Sequence, residues 1–230
     1  MWDAGRETLL RRYRSGQAAI DGYAEDYAYL VFGLLELFQA SGEARWLEWA
    51  LILQRRQDDF FWDPAEGGWF STTGRDPSVL LRMKEEYDGA EPSASAVGAW
   101  NLLTLARLTG ESRFGERAGE VFRAFGARLE AQGRGLPMLA AALSASLAAP
   151  EQTVVVGVVG EDATMALWRA ANRPYRPFAT VIPLAPGAQQ QAVAVHLPWV
   201  AAMTLVNGSP AAYRCREFVC EAPTTDPNEV

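Results

Sequence analysis

The stretch LLELFQASGEARWLE, residues 34–48, decides the fold, because the chain repeats it without a gap as LLTLARLTGESRFGE, residues 102–116. In both copies an apolar segment runs up to a glycine, Gly42 or Gly110, and a more polar segment follows. A glycine at that place suits the left-handed backbone position just past a helix end. The repeat, at an offset of 68 residues from Gly42 to Gly110, therefore predicts two copies of one helical hairpin.

The two helices of each hairpin differ in pattern. The first, residues 22–40 and again 93–108, is apolar nearly all round, which is typical of a helix buried on both sides. The second, residues 43–60, keeps its apolar side chains on one face and charges on the other. A third all-apolar segment follows at 137–149. Alternation of buried and half-exposed helices predicts a mainly α fold, a partial (α/α)6 toroid, with these five helices forming about half of the ring.

The pattern changes after Glu151. Residues 153–159 are β-branched and continuous, residues 162–171 have a short helical period, and 178–183 and 192–196 are further strand candidates. We expect three regions: toroid hairpins over 1–150, a small α/β annex packed on the toroid over 151–222, and a flexible tail over 223–230.

Composition excludes some classes of partner. The 230 residues carry a net charge of −7, and the basic residues are scattered, which argues against nucleic acid and against an anionic membrane surface. Neither a secretory signal nor a membrane span is recognisable in the sequence. The run from Cys215 to Cys220 contains no Gly or Pro, and in an extended chain the two sulfurs would lie roughly 16 Å apart. Reduced thiols are expected, with a disulfide or a metal pair as the alternatives, and reduced thiols fit a cytoplasmic protein.

Residues 61–92 separate the two repeat copies and have no helical period, and a loop of that length in a compact domain is usually functional or disordered. The segment WDPAEGGW, residues 62–69, predicts a tight hairpin. The loop leads into KEEYDGAEPSAS, residues 84–95, where four acids, Glu85, Glu86, Asp88 and Glu91, surround one aromatic side chain, Tyr87.

Asp88 and Glu91 are the predicted catalytic pair. Glu91 precedes a helix start capped by Ser93, where the helix dipole keeps a carboxylate ionised, whereas a carboxylate against an aromatic wall has its pKa raised. Two carboxyl groups separated in pKa suit acid and base catalysis on a glycosidic bond. The alternative is a solvated charge run. Glu25 and Asp26 lie at the start of the first apolar helix, residues 22–40. They are predicted to bind substrate at the same edge of the toroid as Asp88, or else only to complement the helix dipole.

Three aromatic residues of the loop, Trp62, Trp69 and Tyr87, are predicted to stack on a sugar ring, or else to fix the loop to the core. His196 is the only histidine and is expected to be a packed residue. We predict neither a metal nor a cofactor, because no glycine-rich phosphate motif is present.

Several segments together resemble the spermatogenesis-associated protein 20 family. They are DYA at 26–28, RWLEWA at 45–50, QD at 57–58, FWD at 61–63 with GGWF at 67–70, KEEYDGAEPS at 84–93, NLL at 101–103, and CREFVC at 215–220 followed by Pro223. The resemblance covers almost the whole chain, and the run from Tyr87 to Ser93 is its most specific part.

This resemblance implies a thioredoxin-like domain followed by a six-hairpin α/α toroid, similar to that of N-acylglucosamine 2-epimerases and several glycosidases. The present chain resembles the C-terminal third of such a protein, without the thioredoxin-like domain, so no redox activity is implied for it. Epimerases of this fold use histidines as acid and base, and residues 1–195 contain none. The resemblance therefore favours carboxylate chemistry or simple carbohydrate binding.

Two functions are compatible with these observations. The first is a toroid segment that processes or binds a small-molecule carbohydrate in an acidic, aromatic-lined cavity, with an unassigned reaction. The second is a non-catalytic helical scaffold that completes a larger toroid, binds a partner domain or associates with itself, since a half-ring should expose a large apolar face.

Overall fold

The computed structural model describes residues 1–75, 77 and 79–230. It is a mixed α/β structure, about 49% helical, with seven helices and two small sheets, so the predicted mainly α fold is only partly right. The helices are α1 (Ala24–Ser41), α2 (Ala44–Phe61), α3 (Ala94–Thr109), α4 (Ser112–Gln132), α5 (Pro137–Leu147), α6 (Asp162–Asn172) and α7 (Ala188–Ala194). The strands are β1 (Trp2–Asp3), β2 (Thr8–Arg14), β3 (Gln17–Asp21), β4 (Glu151–Val156), β5 (Thr180–Leu184), β6 (Ala211–Arg216) and β7 (Val219–Cys220).

Helices α1 to α5 form where the repeat predicts them. Gly42 and Gly110 both have left-handed backbones, with φ of 66° and 75°, and each N–H donates to the carbonyl four residues earlier. Burial on both sides of α1 is not observed, because Leu30 is 41% exposed and Leu37 is 47% exposed. Within the described ranges, no helix combines the length and the apolarity needed to cross a membrane.

The chain divides into two compact units. Unit 1 comprises residues 1–33, 49–103 and 113–146. At its start, β1, β2 and β3 form an antiparallel meander. The meander is tied to α1 because the Leu9 N–H donates to the Tyr27 hydroxyl at 2.8 Å. Tyr27 is fully buried, and its ring lies 5.4 Å from that of Phe61 in the aromatic core of this unit.

Unit 2 comprises residues 34–48, 104–112 and 147–230. Its sheet has the order β5-β4-β6-β7, with β4 parallel to β5 and antiparallel to β6, and α6 connects β4 to β5. The valines of β4 are buried, as their continuous β-branched run predicts. The end of α3 belongs to this unit: Gln152 donates to the Arg107 carbonyl and Trp199 to the Leu108 carbonyl. The predicted annex over 151–222 therefore shares its unit with helix ends from the repeat.

One local prediction in unit 2 needs correction. Residues 192–196 are not a strand but the end of α7 and the turn after it, and Val193 and Leu197, four residues apart, are both buried.

The segment 223–230, predicted as a flexible tail, makes contacts at both of its ends. Thr224 exchanges two backbone hydrogen bonds with Ala212, and Val230 packs against the buried cluster of Val155, Leu167, Ala171 and Ala212.

The cysteines also differ from the expected reduced pair. Cys215 and Cys220 face each other on β6 and β7 and form a disulfide. The strands are joined by a two-residue turn in which Glu217 and Phe218 both have positive φ, 51° and 63°. Two-residue turns with positive φ usually contain Asn and Gly. Because this turn contains neither, the sequence does not indicate it.

Candidate functional site

The loop between the repeat copies begins with the predicted hairpin. Trp62 and Trp69 form an isolated antiparallel bridge, and the Asp63 N–H donates to the Gly68 carbonyl at 2.9 Å. One carboxylate oxygen of Asp63 accepts the N–H groups of Ala65 and Glu66. This arrangement turns the chain within six residues and fixes both indole rings.

The two tryptophans pack inward. Trp69 is only 1% exposed, its ring lies 5.0 Å from that of Trp62, and its Nε1 donates to Asp58 Oδ1 at 3.0 Å. The Arg117 guanidinium covers the Trp62 ring at 4.2 Å. Trp62 and Trp69 therefore fix the loop to the core, which was the alternative to a sugar-stacking role.

Asp58 was not singled out as a site residue from the sequence. Its carboxylate accepts from Trp69 and from Gln54 Nε2, and the Arg117 Nη1 lies 3.8 Å from its second oxygen. Burial raises the pKa of the Asp58 carboxyl from 3.8 to about 6, although the Arg117 charge lowers it. The available signal was its spacing, four residues after Gln54, which puts the two side chains on one face of α2.

Lys84 holds the other end of the loop. Its Nζ lies 2.6 Å from Asp63 Oδ2 and 3.2 Å from Glu66 Oε2, and donates to the Gly67 carbonyl. The hydrogen bond from Lys84 lowers the pKa of the Asp63 carboxyl. Lys84 is therefore used to anchor the 62–69 hairpin.

Asp88 is buried and connects two helix starts. Its Oδ1 accepts the Ser93 N–H at 2.8 Å and its Oδ2 accepts the Met138 N–H at 2.9 Å. Ser93 caps α3 as predicted, since its hydroxyl accepts the Ala96 N–H. Both oxygens of the predicted catalytic Asp88 thus receive backbone hydrogen bonds, which gives this carboxylate a structural role.

Glu91, the second predicted catalytic residue, is exposed. It belongs to a group of acids around Tyr29, whose hydroxyl donates to the Pro92 carbonyl at 2.9 Å. Burial, with the nearby charges of Glu91, Asp88 and Glu25 among others, raises the pKa of Tyr29 to about 12. Burial and the charges of Glu25 and Glu91 also raise the pKa of Glu85. The fold therefore brings Glu25 close to Glu85 and Glu91.

The acids at the start of α1 are paired. Arg11 Nη2 lies 3.0 Å from Glu25 Oε1, and Arg11 Nε lies 3.6 Å from Asp26 Oδ2. The same Asp26 oxygen accepts the Tyr23 N–H at 2.7 Å, closing the first turn of the helix. Asp26 thus acts as a helix cap, and Glu25 remains the member of the pair that reaches the acids near Tyr29.

Tyr87 is different from the tryptophans because it borders an open groove and is 63% exposed. We name this concavity, of about 900 Å³, the Tyr87 groove. It lies between the end of the loop and α4 in unit 1 and is lined by four basic, two acidic, three aromatic and two other side chains: Arg82, Lys84, Arg123, Arg128, Glu66, Glu86, Phe70, Tyr87, Phe125, Met83 and Ala124. Volumes of this size accommodate small-molecule ligands.

Metal ligands do not converge in the part of the chain that the structure describes: no group of three His, Cys, Asp or Glu side chains there could hold a metal ion. His196 is half-buried in unit 2, after α7.

Comparison with known proteins confirms the resemblance drawn from the sequence. The chain is 38% identical over 210 residues to spermatogenesis-associated protein 20 of Homo sapiens, covering 91% of this chain and 27% of the human protein. The protein of the same name from Mus musculus is equally similar, and an uncharacterised protein of Caenorhabditis elegans is 30% identical over 208 residues. The chain thus spans about a quarter of the length of these relatives. No protein-family model matches it.

Proposed function

We propose that this chain, whose relatives carry the name spermatogenesis-associated protein 20, binds a small-molecule carbohydrate in the Tyr87 groove. The observation that carries the proposal is the exposed ring of Tyr87 at the edge of a concavity of about 900 Å³ with charged walls. Pyranose rings have one flat apolar face and a polar rim, so an accessible aromatic ring beside hydrogen-bonding side chains matches both parts.

Binding is favoured over hydrolysis by the state of Asp88. A carboxylate that acts as acid, base or nucleophile must reach the reacting atoms, whereas both oxygens of Asp88 accept backbone N–H groups. Glu91 is exposed and free to contact a ligand, and Glu25 and Glu85 lie near it. A reaction at Asp88 and Glu91 would require one helix start to give up its hydrogen bond.

The toroid is part of this proposal. It is supported by the repeat and by the alternation of apolar and amphipathic sequence patterns in helices α1 to α5. The chain also spans only about a quarter of the length of its relatives, which leaves room in them for further hairpins. In a complete ring, the loop after α2 and the start of α3 would contribute to the rim of a central cavity.

Saturation-transfer difference NMR on the unlabelled chain tests the binding. We expect transfer to the ring protons of at least one neutral monosaccharide in a panel that includes D-glucose, D-mannose and N-acetyl-D-glucosamine. Tyr87→Ala should weaken binding by about 1 kcal/mol, the usual contribution of an aromatic contact. Tyr13→Ala is the matched control, because Tyr13 is 65% exposed and lies on β2. Equal transfer in the Tyr87→Ala and Tyr13→Ala variants would contradict the proposal.

A second candidate function, a helical scaffold that associates with itself or with a partner domain, is favoured by Leu30 and Leu37. They lie two turns apart on α1, and both are exposed on a helix whose pattern is typical of burial. Light scattering distinguishes this candidate: the wild-type mass should exceed the 25.2 kDa of one chain and rise with concentration. The Leu30→Gln, Leu37→Gln variant should stay monomeric, whereas Leu147→Gln, which changes another exposed leucine, should behave as wild type.

A further inference from the structure

The charges in the Tyr87 groove are unevenly paired. Lys84 is neutralised twice, by Asp63 at 2.6 Å and by Glu66 at 3.2 Å, and is only slightly accessible. Glu66 is likewise engaged by Lys84. Lys84, Asp63 and Glu66 together hold the 62–69 hairpin, and this cluster of one cation and two anions contributes no positive charge to the groove.

Arg123 and Arg128, two of the arginines of α4, are in the opposite situation. Arg123 and Arg128 are exposed and line the groove, and no acidic side chain among residues 1–75, 77 and 79–230 lies within ion-pair distance of either of them. The unpaired acid among the lining residues is Glu86. With Arg82 included, four basic and two acidic side chains line the groove, so the lining is positive although the whole chain carries a net charge of −7.

Arg82 adds a third positive charge at the wall. Its Nε donates to the Thr72 carbonyl and its Nη2 to the Phe60 carbonyl, and its guanidinium stacks on the Phe70 ring at 4.2 Å. Burial lowers the pKa of Arg82, because the charged form is partly removed from water. Carbonyl dipoles orient this guanidinium but do not cancel its charge, and an anion nearby would stabilise it.

The aromatic ring of the groove has a fixed neighbour. A Cβ on Gly135 would lie 3.1 Å from two carbons of the Tyr87 ring, so the ring rests against the bare backbone of that glycine. The Cδ2–Cε2 edge of the Tyr87 ring is thus held against Gly135, and the side chain remains 63% exposed towards solvent. A sugar stacked there would lie in the same concavity as Arg123 and Arg128.

We infer that the Tyr87 groove prefers carbohydrates that carry an anionic substituent, a carboxylate or a phosphate, which Arg123 and Arg128 bind while the sugar ring contacts Tyr87. This inference rests on the proposed carbohydrate binding and adds the ligand class. Guanidinium groups suit both anions because their N–H donors match two oxygens at once. Two partly exposed ion pairs of this kind correspond to about a tenfold gain in affinity.

Four sugars that share one pyranose ring test the preference for an anionic substituent: D-glucose, D-glucuronate, D-glucose 6-phosphate and D-glucosamine. Each is titrated at constant ionic strength, and binding is followed by saturation-transfer difference NMR. We expect D-glucuronate or D-glucose 6-phosphate to bind about tenfold more tightly than D-glucose, and D-glucosamine to bind no better than D-glucose. A gain for D-glucuronate alone assigns a carboxylate, and a gain for D-glucose 6-phosphate alone assigns a phosphate. Added salt should reduce the gain.

The matched variants separate local from overall charge. Arg123→Gln, Arg128→Gln should lose the preference, so that the anionic sugar binds this variant no more tightly than D-glucose does. Arg12→Gln, Arg55→Gln removes the same charge from two exposed arginines that do not line the groove, and should keep the preference. If D-glucose binds and neither anionic sugar binds more tightly, or if the preference survives in the α4 variant, the inference is wrong while carbohydrate binding stands. If no sugar binds, the proposed function itself is wrong.

Discussion

The carboxylate of Asp88 accepts a hydrogen bond from the backbone N–H of Met138, fifty residues further along the chain, at 2.9 Å. Its other oxygen accepts the N–H of Ser93, so one buried side chain satisfies N–H groups at the start of α3 and at the start of α5. These N–H groups have no partner inside their own helices, and a carboxylate there also complements both helix dipoles. Asp88 is therefore a tertiary cap that joins two helices.

Replacing Asp88 should cost stability. Asp88→Ala leaves the buried Ser93 N–H and the partly buried Met138 N–H without their acceptor, and we expect a loss of about 2 to 4 kcal/mol in the free energy of unfolding by urea. Asp88→Asn keeps one acceptor oxygen and should lose less. Glu91→Ala is the control, because that side chain is exposed and should change stability by less than about 0.5 kcal/mol. Equal stability of Asp88→Ala and Glu91→Ala would rule out the capping role.

The stability of the chain should depend on the protonation of Asp58. The pKa of this carboxyl is raised to about 6 in the folded chain, against 3.8 for the ordinary group, so between these pH values the folded chain keeps a proton that the unfolded chain has released. Stability from this group is thus fully present below pH 3.8 and is lost as the pH rises to about 6. The shift corresponds to at most about 3 kcal/mol.

Urea unfolding of wild type and Asp58→Asn across this pH range measures the effect. Asparagine keeps an acceptor for Trp69 but does not titrate, so wild type should lose stability relative to the variant as the pH rises. Asp59→Asn changes the exposed neighbour of Asp58 and should follow the wild-type pH profile. If the free energies of unfolding of wild type and Asp58→Asn differ by the same amount at every pH, the Asp58 carboxyl has the same pKa in the folded and the unfolded chain, and the prediction is wrong.

The helices and their ends were predictable because they depend on local pattern. Apolar periodicity and the glycines at 42 and 110 predict the bounds of α1, α2 and α3 to within two residues of those observed. The strand proposed at 192–196 failed because a short apolar run has no decisive period, and two side chains four residues apart decide it in the folded chain. The two-residue turn at Glu217 and Phe218 could not be read because neither residue is typical of positive φ.

The site was harder to predict because its residues acquire their roles from distant partners. Trp69 and Tyr87 lie in the same loop and look alike in the sequence, yet one is fixed to the core by Asp58 and the other borders a groove. The role of Asp88 depends on Met138, and the lining by Arg123 and Arg128 depends on how α4 packs beside the loop. The local sequence around residues 84–95 does not indicate which of its side chains remain accessible.

Gly42 should be more sensitive to substitution than its repeat counterpart Gly110. Both have positive φ, so an alanine at either position carries a backbone cost of about 1 to 2 kcal/mol. A Cβ at Gly42 would also lie 1.9 Å from the Pro183 carbonyl oxygen, whereas at Gly110 the nearest atom is a ring carbon of Phe218 at 3.3 Å. We expect Gly42→Ala to destabilise by at least about 1 kcal/mol more than Gly110→Ala in thermal or urea unfolding. Equal losses would mean that no such contact with Pro183 exists.

The bond between Cys215 and Cys220 should contribute to stability under oxidising conditions. It closes a loop of only a few residues, for which chain entropy predicts a stabilisation of about 2 kcal/mol. Reduction should release two thiols per chain and lower the melting temperature, and it should have no effect on a Cys215→Ser, Cys220→Ser variant. The predicted cytoplasmic location would favour the reduced form. Two thiols that react with a maleimide in protein never exposed to reductant, with a melting temperature insensitive to oxidant, would show that the pair does not form a disulfide.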